Sequence, residues 1–277
     1  MALLEHCIVP DWPAPANVKA LQTTRHGGFS AAPYDTLNLG SHVGDNPQAV
    51  ARNRQLLAPL MPSEPVWLEQ VHGTVVAIAD AASCAPQADA CVARHRGAVC
   101  VVMTADCLPV LLCDEAGTVV GSAHAGWKGL AAGIIEATVK VMDTEPRNLM
   151  AWLGPAIGRE AFEVGAEVRA DFVAHQAQAA EAFIAHGSQG KYHADIYLLA
   201  RQRLNALGIT RIFGGGCDTL LHSSRLREQP PSAPPAPADS VAPRRGGDFC
   251  TYHQKDKFFS YRRDGVTGRM GTFIWLA

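Results

Sequence analysis

Nowhere in the 277 residues does an apolar run approach the roughly eighteen residues of a membrane-spanning helix. The amino terminus, MALLEHCIVPDW, has an acid and a proline where a secretory signal needs an unbroken apolar stretch. The chain therefore reads as soluble and cytoplasmic. It also lacks any cluster of Lys and Arg interleaved with aromatics, and a formal net charge of -2 leaves no footprint for nucleic acid. There is no C-x-x-C pair, no H-E-x-x-H and no H-x-E with P-C-x-x-C, which removes the common metalloprotease and deaminase patterns. None of the 11 histidines stands in an H-x-H pair, which discounts a multicopper centre. The 8 cysteines have no regular spacing, as suits free thiols in a reducing compartment, most of them small core residues. No internal repeat is evident.

What the chain does have is a central stretch, Gly97 to Val139, with a thiol and an imidazole at the ends of short apolar runs. Gly97 to Met103, Leu108 to Cys113 and Gly117 to Ala123 read as buried strands closed by Asp or Gly. Cys107 falls between the first two, and His124 follows the third, on an expected glycine turn before a helix. Leu130, Ile134, Ile135, Thr138, Val139 and Met142 recur with the spacing of one helix face. Upstream, Val18 to Thr24 and Val66 to Val71 are strand candidates, the latter meeting His72-Gly73 before Thr74 to Ala79 resumes a strand. His72 is thus expected to mirror His124. Tyr34 to Pro47 is rich in turn formers and reads as a rim loop, with Asn46-Pro47 starting a helix over Ala49 to Leu57. Downstream, Leu149 to Leu153 and Arg211 to Phe213 read as strands, Ala166 to His175 as a helix, and Asp195 as the cap of another. Phe258 to Arg263 and Met270 to Leu276 suggest a closing hairpin.

His72, Cys107 and His124 offer two nitrogen donors and one sulfur donor, a set that suits Zn²⁺ with a fourth position left open. The same atoms suit a Cys107 nucleophile activated by His124, with Asp106 orienting an imidazole. From spacing alone, a buried core thiol, two turn histidines and a turn-capping aspartate are the commoner fates.

Five segments in order, WLEQVHG, TADCLPVLLCD, AHAGWKG, LGPAIG and FFSYRRDGVTGRM, resemble the YfiH or laccase-domain family. Its members carry the labels purine nucleoside phosphorylase, polyphenol oxidase and peptidoglycan editing factor. The resemblance runs from Thr23 to the carboxyl terminus. It implies an α/β (α+β) fold, a four-layer α-β-β-α sandwich similar to cysteine hydrolases, in a single domain over residues 1–277. It also implies zinc on His72, Cys107 and His124, in preference to copper, and catalysis at those residues with Asp106. The implied reactions are phosphorolysis of adenosine, inosine and methylthioadenosine, and deamination of adenosine. Phosphorolysis requires cations around an oxyanion, for which Arg25, Arg262, Arg263 and Lys128 are candidates. In deamination, zinc lowers the pKa of a water, and Asp106, Gln70 or Asn38 would move the proton. Trp127 is a candidate to stack on a base, although covering the core is the commoner role for such a residue. A competing activity in the same family is amide hydrolysis of a muramyl nucleotide carrying a misplaced L-serine. A metal-dependent binding module is a third reading.

One departure from the family pattern is a Pro/Ala-rich insertion at about 227–245, QPPSAPPAPADSVAPRR, which lacks the large apolar groups a core needs. It reads as an exposed, mobile insertion. Deleting Pro230 to Pro243 is therefore expected to leave zinc content and nucleoside turnover intact. A folded deletion variant with a large loss of activity would contradict this.

Overall fold

The computed structural model describes residues 3–81, 85–187, 190–215 and 249–277, so the Pro/Ala-rich stretch lies outside the described residues. The largest sheet has six strands in the order β12-β8-β6-β7-β4-β3. These are β3 (Val76–Ile78), β4 (Ala90–Ala93), β6 (Leu108–Asp114), β7 (Val120–Ala125), β8 (Leu149–Leu153) and β12 (Arg211–Gly214). A second sheet runs β1-β2-β13-β5, from β1 (Cys7–Ile8), β2 (Val18–Thr23), β5 (Val99–Thr104) and β13 (Met270–Leu276). A small third sheet joins β9 (Glu163–Gly165), β10 (Phe183–Ala185) and β11 (Lys191–Ala194).

Every residue of β6 is buried because both faces of its sheet are covered, which explains its continuous apolar run. Leu108, Val110 and Leu112 pack with Ile134, Ile135, Val139, Leu199 and Leu204, from helices α3 (Ile134–Met142) and α5 (Ile196–Ala206). Leu111 and Cys113 point the other way, to Cys100, Val102, Ile274 and Leu276 of the second sheet. Beyond that sheet, Val101, Phe273 and Trp275 pack against Leu57 of α1 (Pro47–Leu57) and against Leu37 and Leu39. The strand alternation therefore builds helix, sheet, sheet and helix in four layers.

Local chemistry sets the element ends. The Asn46 side chain accepts from the Gln48 and Ala49 amides at the start of α1, and Asp195 accepts from Leu198 at the start of α5. A fourth helix, α4, covers Ala166–His175 as expected.

Several expectations are corrected. The apolar helical pattern after His124 is interrupted: α2 (Trp127–Ala132) ends at Gly133, whose φ of 97° starts the chain in a new direction for α3. Glycine permits that break while the buried stripe continues. Val66 to Val71 forms no strand, making only isolated bridges at Val66 and Glu69. The closing hairpin is also absent. Tyr261–Asp264 is one helical turn, α6, with Ser260 as its cap, and β13 pairs instead with β2 and β5. Cys91, Cys100, Cys113 and Cys250 are buried, and these, with Cys7 and Cys107, are free thiols. Among the described residues, no helix is long and apolar enough to cross a membrane.

Candidate metal centre and its pocket

The site forms where three strand ends meet. Cys107 immediately precedes β6, and the antiparallel register places Pro109 opposite His124 of β7. On the other side of β7, β4 pairs Ala90 with Ala123, so Asp89 lies beside His124 and its carbonyl accepts from the His124 amide at 2.7 Å. His124 thus belongs to the strand itself and is buried, whereas His72 is exposed on a turn with φ 60°. The two histidines do not share the mirrored setting expected from their flanking glycines.

Asp89 joins them. Its side chain is fully buried, and its Oδ1 lies 2.8 Å from His124 Nδ1. The same carboxylate accepts from the amides of Val71, His72 and Gly73 at 3.2, 2.9 and 2.7 Å. Three successive N–H groups wrapped around an anion form a nest, and the left-handed backbone of His72 belongs to that curvature. Such a conformation costs a non-glycine residue roughly 1 kcal/mol, which charge-assisted hydrogen bonds offset. No sequence signal marked this residue: Asp89 is a lone acid before a four-residue strand, far from the histidines it holds.

With Nδ1 committed to Asp89, His124 turns Nε2 toward the other donors. His72, Cys107 and His124 each offer one ligand atom, all within 4.8 Å of one another. The sulfur and His72 Nε2 are 3.8 Å apart. Tetrahedral zinc with two nitrogens and a sulfur sets its donors about 3.4–3.6 Å apart, so a small contraction would complete the shell. The neighbouring backbone leaves room for it: a Cβ on Gly126 would lie 2.8 Å from the sulfur and 3.0 Å from the His72 ring. Borderline-soft donors, an open fourth position and this glycine cradle fit zinc.

In the metal-free protein Cys107 and His124 form a thiolate–imidazolium pair, and a bound metal would displace the His124 proton. Burial raises the Cys107 thiol, but the charge and hydrogen bonds of His124 and then His72 bring it down to about 6. Burial disfavours the His124 cation, yet the thiolate and Asp89 raise it to about 9. Asp89 is also opposed by burial and held below the usual carboxylate range by His124 and the nest amides.

His72 and Cys107 face a cavity of about 300 Å³ that Ala105, Asp106, Trp127 and Lys128 also line, whereas His124 is buried and does not line it. Ile157, Phe162, Ile196, Tyr261 and Arg262 complete it. The aliphatic and aromatic members were not singled out in the sequence because they look like ordinary core residues. Asp106, whose φ is 95°, does not orient an imidazole. Its oxygens accept from Thr251 Oγ1 at 2.6 Å and from the Arg262 amide at 2.7 Å, so it fixes the start of α6.

The other candidates sit elsewhere. Arg25 pairs with Asp35, donates to the carbonyls of Asp35 and Lys255, and stacks on Phe259. Arg263 is bonded to Asp264 and to the carbonyls of Thr251, Tyr252 and Phe258. Asn38 is fully buried and bonds Gly40, Asp45 and the Arg269 amide, while Gln70 exchanges two hydrogen bonds with the backbone of Met103. None of these four lines the cavity.

In the metal-free protein, Cys107 is expected to be alkylated by iodoacetamide with a rate that rises through pH 6 and is level above pH 7. Below pH 6 the sulfur gains a proton and the rate falls. A midpoint near the free-thiol value of about 8.5 would contradict the ion pair.

A family model described as multi-copper polyphenol oxidoreductase laccase matches residues 19–226 and 240–277. A relative from Escherichia coli (strain K12), named purine nucleoside phosphorylase YfiH, is 51% identical over 272 residues, covering 97% of this chain and 98% of the relative. A Pseudomonas aeruginosa relative, named purine nucleoside phosphorylase PA4543, is 47% identical over 269 residues, with 97% and 98% of the two chains covered. Among solved structures, the Neisseria meningitidis protein NMB0706 superposes with a TM-score of 0.83 at 45% identity, over 98% of this chain and 99% of that one. With near-complete coverage at this identity, the chain belongs to the laccase-domain family that includes the YfiH proteins.

Proposed function

We propose that the pocket is the active site of a zinc-dependent purine nucleoside enzyme, which phosphorolyses adenosine, inosine and methylthioadenosine and deaminates adenosine. The observation that carries this reading is the three-donor cluster, two of whose members, His72 and Cys107, line a pocket that also presents Lys128, Arg262 and the rings of Trp127, Phe162 and Tyr261. The names of the relatives point to the same substrate class.

Phosphorolysis forms a bond from a phosphate oxygen to ribose C1′ as the C1′–N9 bond breaks and its electron pair leaves with the purine. Both the entering and the departing group carry negative charge, so the site must supply positive charge and exclude water. Lys128 and Arg262 meet the first need. Arg262 is held by its own amide on Asp106 and by Nη1 on the Glu163 carbonyl at 2.9 Å, which pre-sets its fork for an oxyanion. Trp127 and Tyr261 offer flat faces for a base, and Ile157, Phe162 and Ile196 keep the interior apolar. Zinc bound by His72, Cys107 and His124 would supply Lewis acidity toward a reactant oxygen. Asp106 acts by positioning Arg262 through Oδ2, while its Oδ1 accepts from Thr251 Oγ1.

Arg25, Asn38, Gln70 and Arg263 hold the framework in this reading. The paired thiol and imidazole would equally suit a Cys107 nucleophile, and zinc content separates the two. Zinc-loaded protein given adenosine and phosphate is expected to yield adenine and ribose 1-phosphate by phosphorolysis, and inosine with ammonia by deamination, the inosine passing on to hypoxanthine. Cys107→Ala is expected to lose both zinc and turnover. Full zinc occupancy in that variant would contradict the ligand role, and a zinc-loaded wild type inert toward nucleosides would contradict the activity. Release of L-serine from the muramyl nucleotide by such a protein would favour the amidase.

A further inference from the structure

We propose that Arg269 forms an anion subsite at the rim of this pocket, receiving an oxyanion of the reactant in addition to Lys128 and Arg262. The proposal rests on the phosphorolysis reading only in naming phosphate as that oxyanion.

Backbone register sets the location. Met270 of β13 pairs with Thr104 of β5 in antiparallel fashion, which brings Arg269 alongside Ala105, the residue just past the end of β5. Ala105 lines the pocket and leads directly into Asp106 and Cys107. The Arg269 guanidinium carbon is 5.9 Å from the centre of the Tyr261 ring, another lining residue.

The side chain is fixed without being satisfied. The Arg269 amide donates to Asn38 Oδ1 at 2.9 Å, and its carbonyl accepts from the Leu39 amide at 3.1 Å. One guanidinium nitrogen, Nη1, donates to the carbonyls of Thr267 and Gly268 at 3.1 and 3.0 Å. Nε and Nη2 donate to nothing among the described residues, and no carboxylate forms an ion pair with the group. Arg25 and Arg263 differ, since each spends Nε on a protein oxygen and also pairs with an aspartate.

Neither Nε nor Nη2 is among the buried unpartnered atoms, so the bare edge of this half-buried cation stays open to solvent and to a ligand. Burial weakens the protonated form of Arg269, and the negative charges of Cys107 and Asp106 partly restore it. The nearby His42 is held below its ordinary value by burial and by the charges of Arg269 and Arg54. The two bonds of Nη1 fix the guanidinium in direction, and an anion arriving from solution can accept from its two bare donors.

Gly40 offers an independent handle. A Cβ there would lie 2.8 Å from Arg269 Cγ, so Gly40→Ala would push the stem aside while leaving the charge in the protein.

The test is calorimetric titration of inorganic phosphate into zinc-loaded wild type, Arg269→Met, Arg269→Lys and Gly40→Ala. Wild type is expected to bind phosphate, with Arg269→Met about tenfold or more weaker, Arg269→Lys intermediate, and zinc per chain unchanged. If Arg269→Met does not fold, Gly40→Ala is expected to show the weakening in its place. A wild type that takes up no phosphate would overturn the subsite, as would substituted proteins that bind it as wild type does. Phosphate binding that depends on Arg269, in a wild type that turns over no nucleoside, would uphold the subsite and remove phosphorolysis. Turnover whose phosphate KM is the same in wild type and Arg269→Met would do the reverse.

Discussion

A single buried carboxylate organises the centre. Asp89 is out of water, a position that would cost several kcal/mol for an isolated charge, and it is held there by three turn amides and the His124 ring. Each contact serves two purposes at once. The amides stabilise the anion, and the anion bends residues 71–73 so that His72 faces the sulfur. The imidazole contact neutralises the carboxylate, and the carboxylate directs His124 Nε2 toward the ligand position.

The rest of the fold delivers groups to that point. Pairing of β4, β7 and β6 brings Asp89, His124 and Cys107 to one end of the large sheet. The second sheet carries Arg269 to the same end through the pairing of β13 with β5. The turn at α6 brings Tyr261 and Arg262 over the opening, anchored on Asp106. Asp106 is adjacent to Cys107 yet serves Arg262, while Asp89, remote in sequence, serves the donor cluster.

Much of this was legible in the chain. The strands of the central stretch are short apolar runs punctuated by Asp and Gly, and β8 and α4 fall on the residues expected for them. The Cys and His donors sit at run ends, and the ordered family motifs contain all three. What could not be read depends on long-range pairing. Asp89 has no local pattern, since its partners come from two other segments and three of its bonds are to backbone. Arg25 and Arg263 looked like anion binders because a sequence does not show which guanidinium is already engaged. Arg269 was overlooked within the same motif as Arg262, and its difference from Arg263 lies only in unused donor edges. The α2–α3 break was hidden because the apolar stripe persists across Gly133.

The central claim, that Asp89 holds the ligand set in place, is tested most directly by the zinc affinity of Asp89→Asn, measured by competition with a chelating dye. Asparagine keeps the size but removes the charge that the nest and His124 share. The account predicts affinity weaker by about 10–100-fold in a protein whose far-ultraviolet circular dichroism is unchanged. A folded Asp89→Asn protein that binds zinc as tightly as wild type would contradict it.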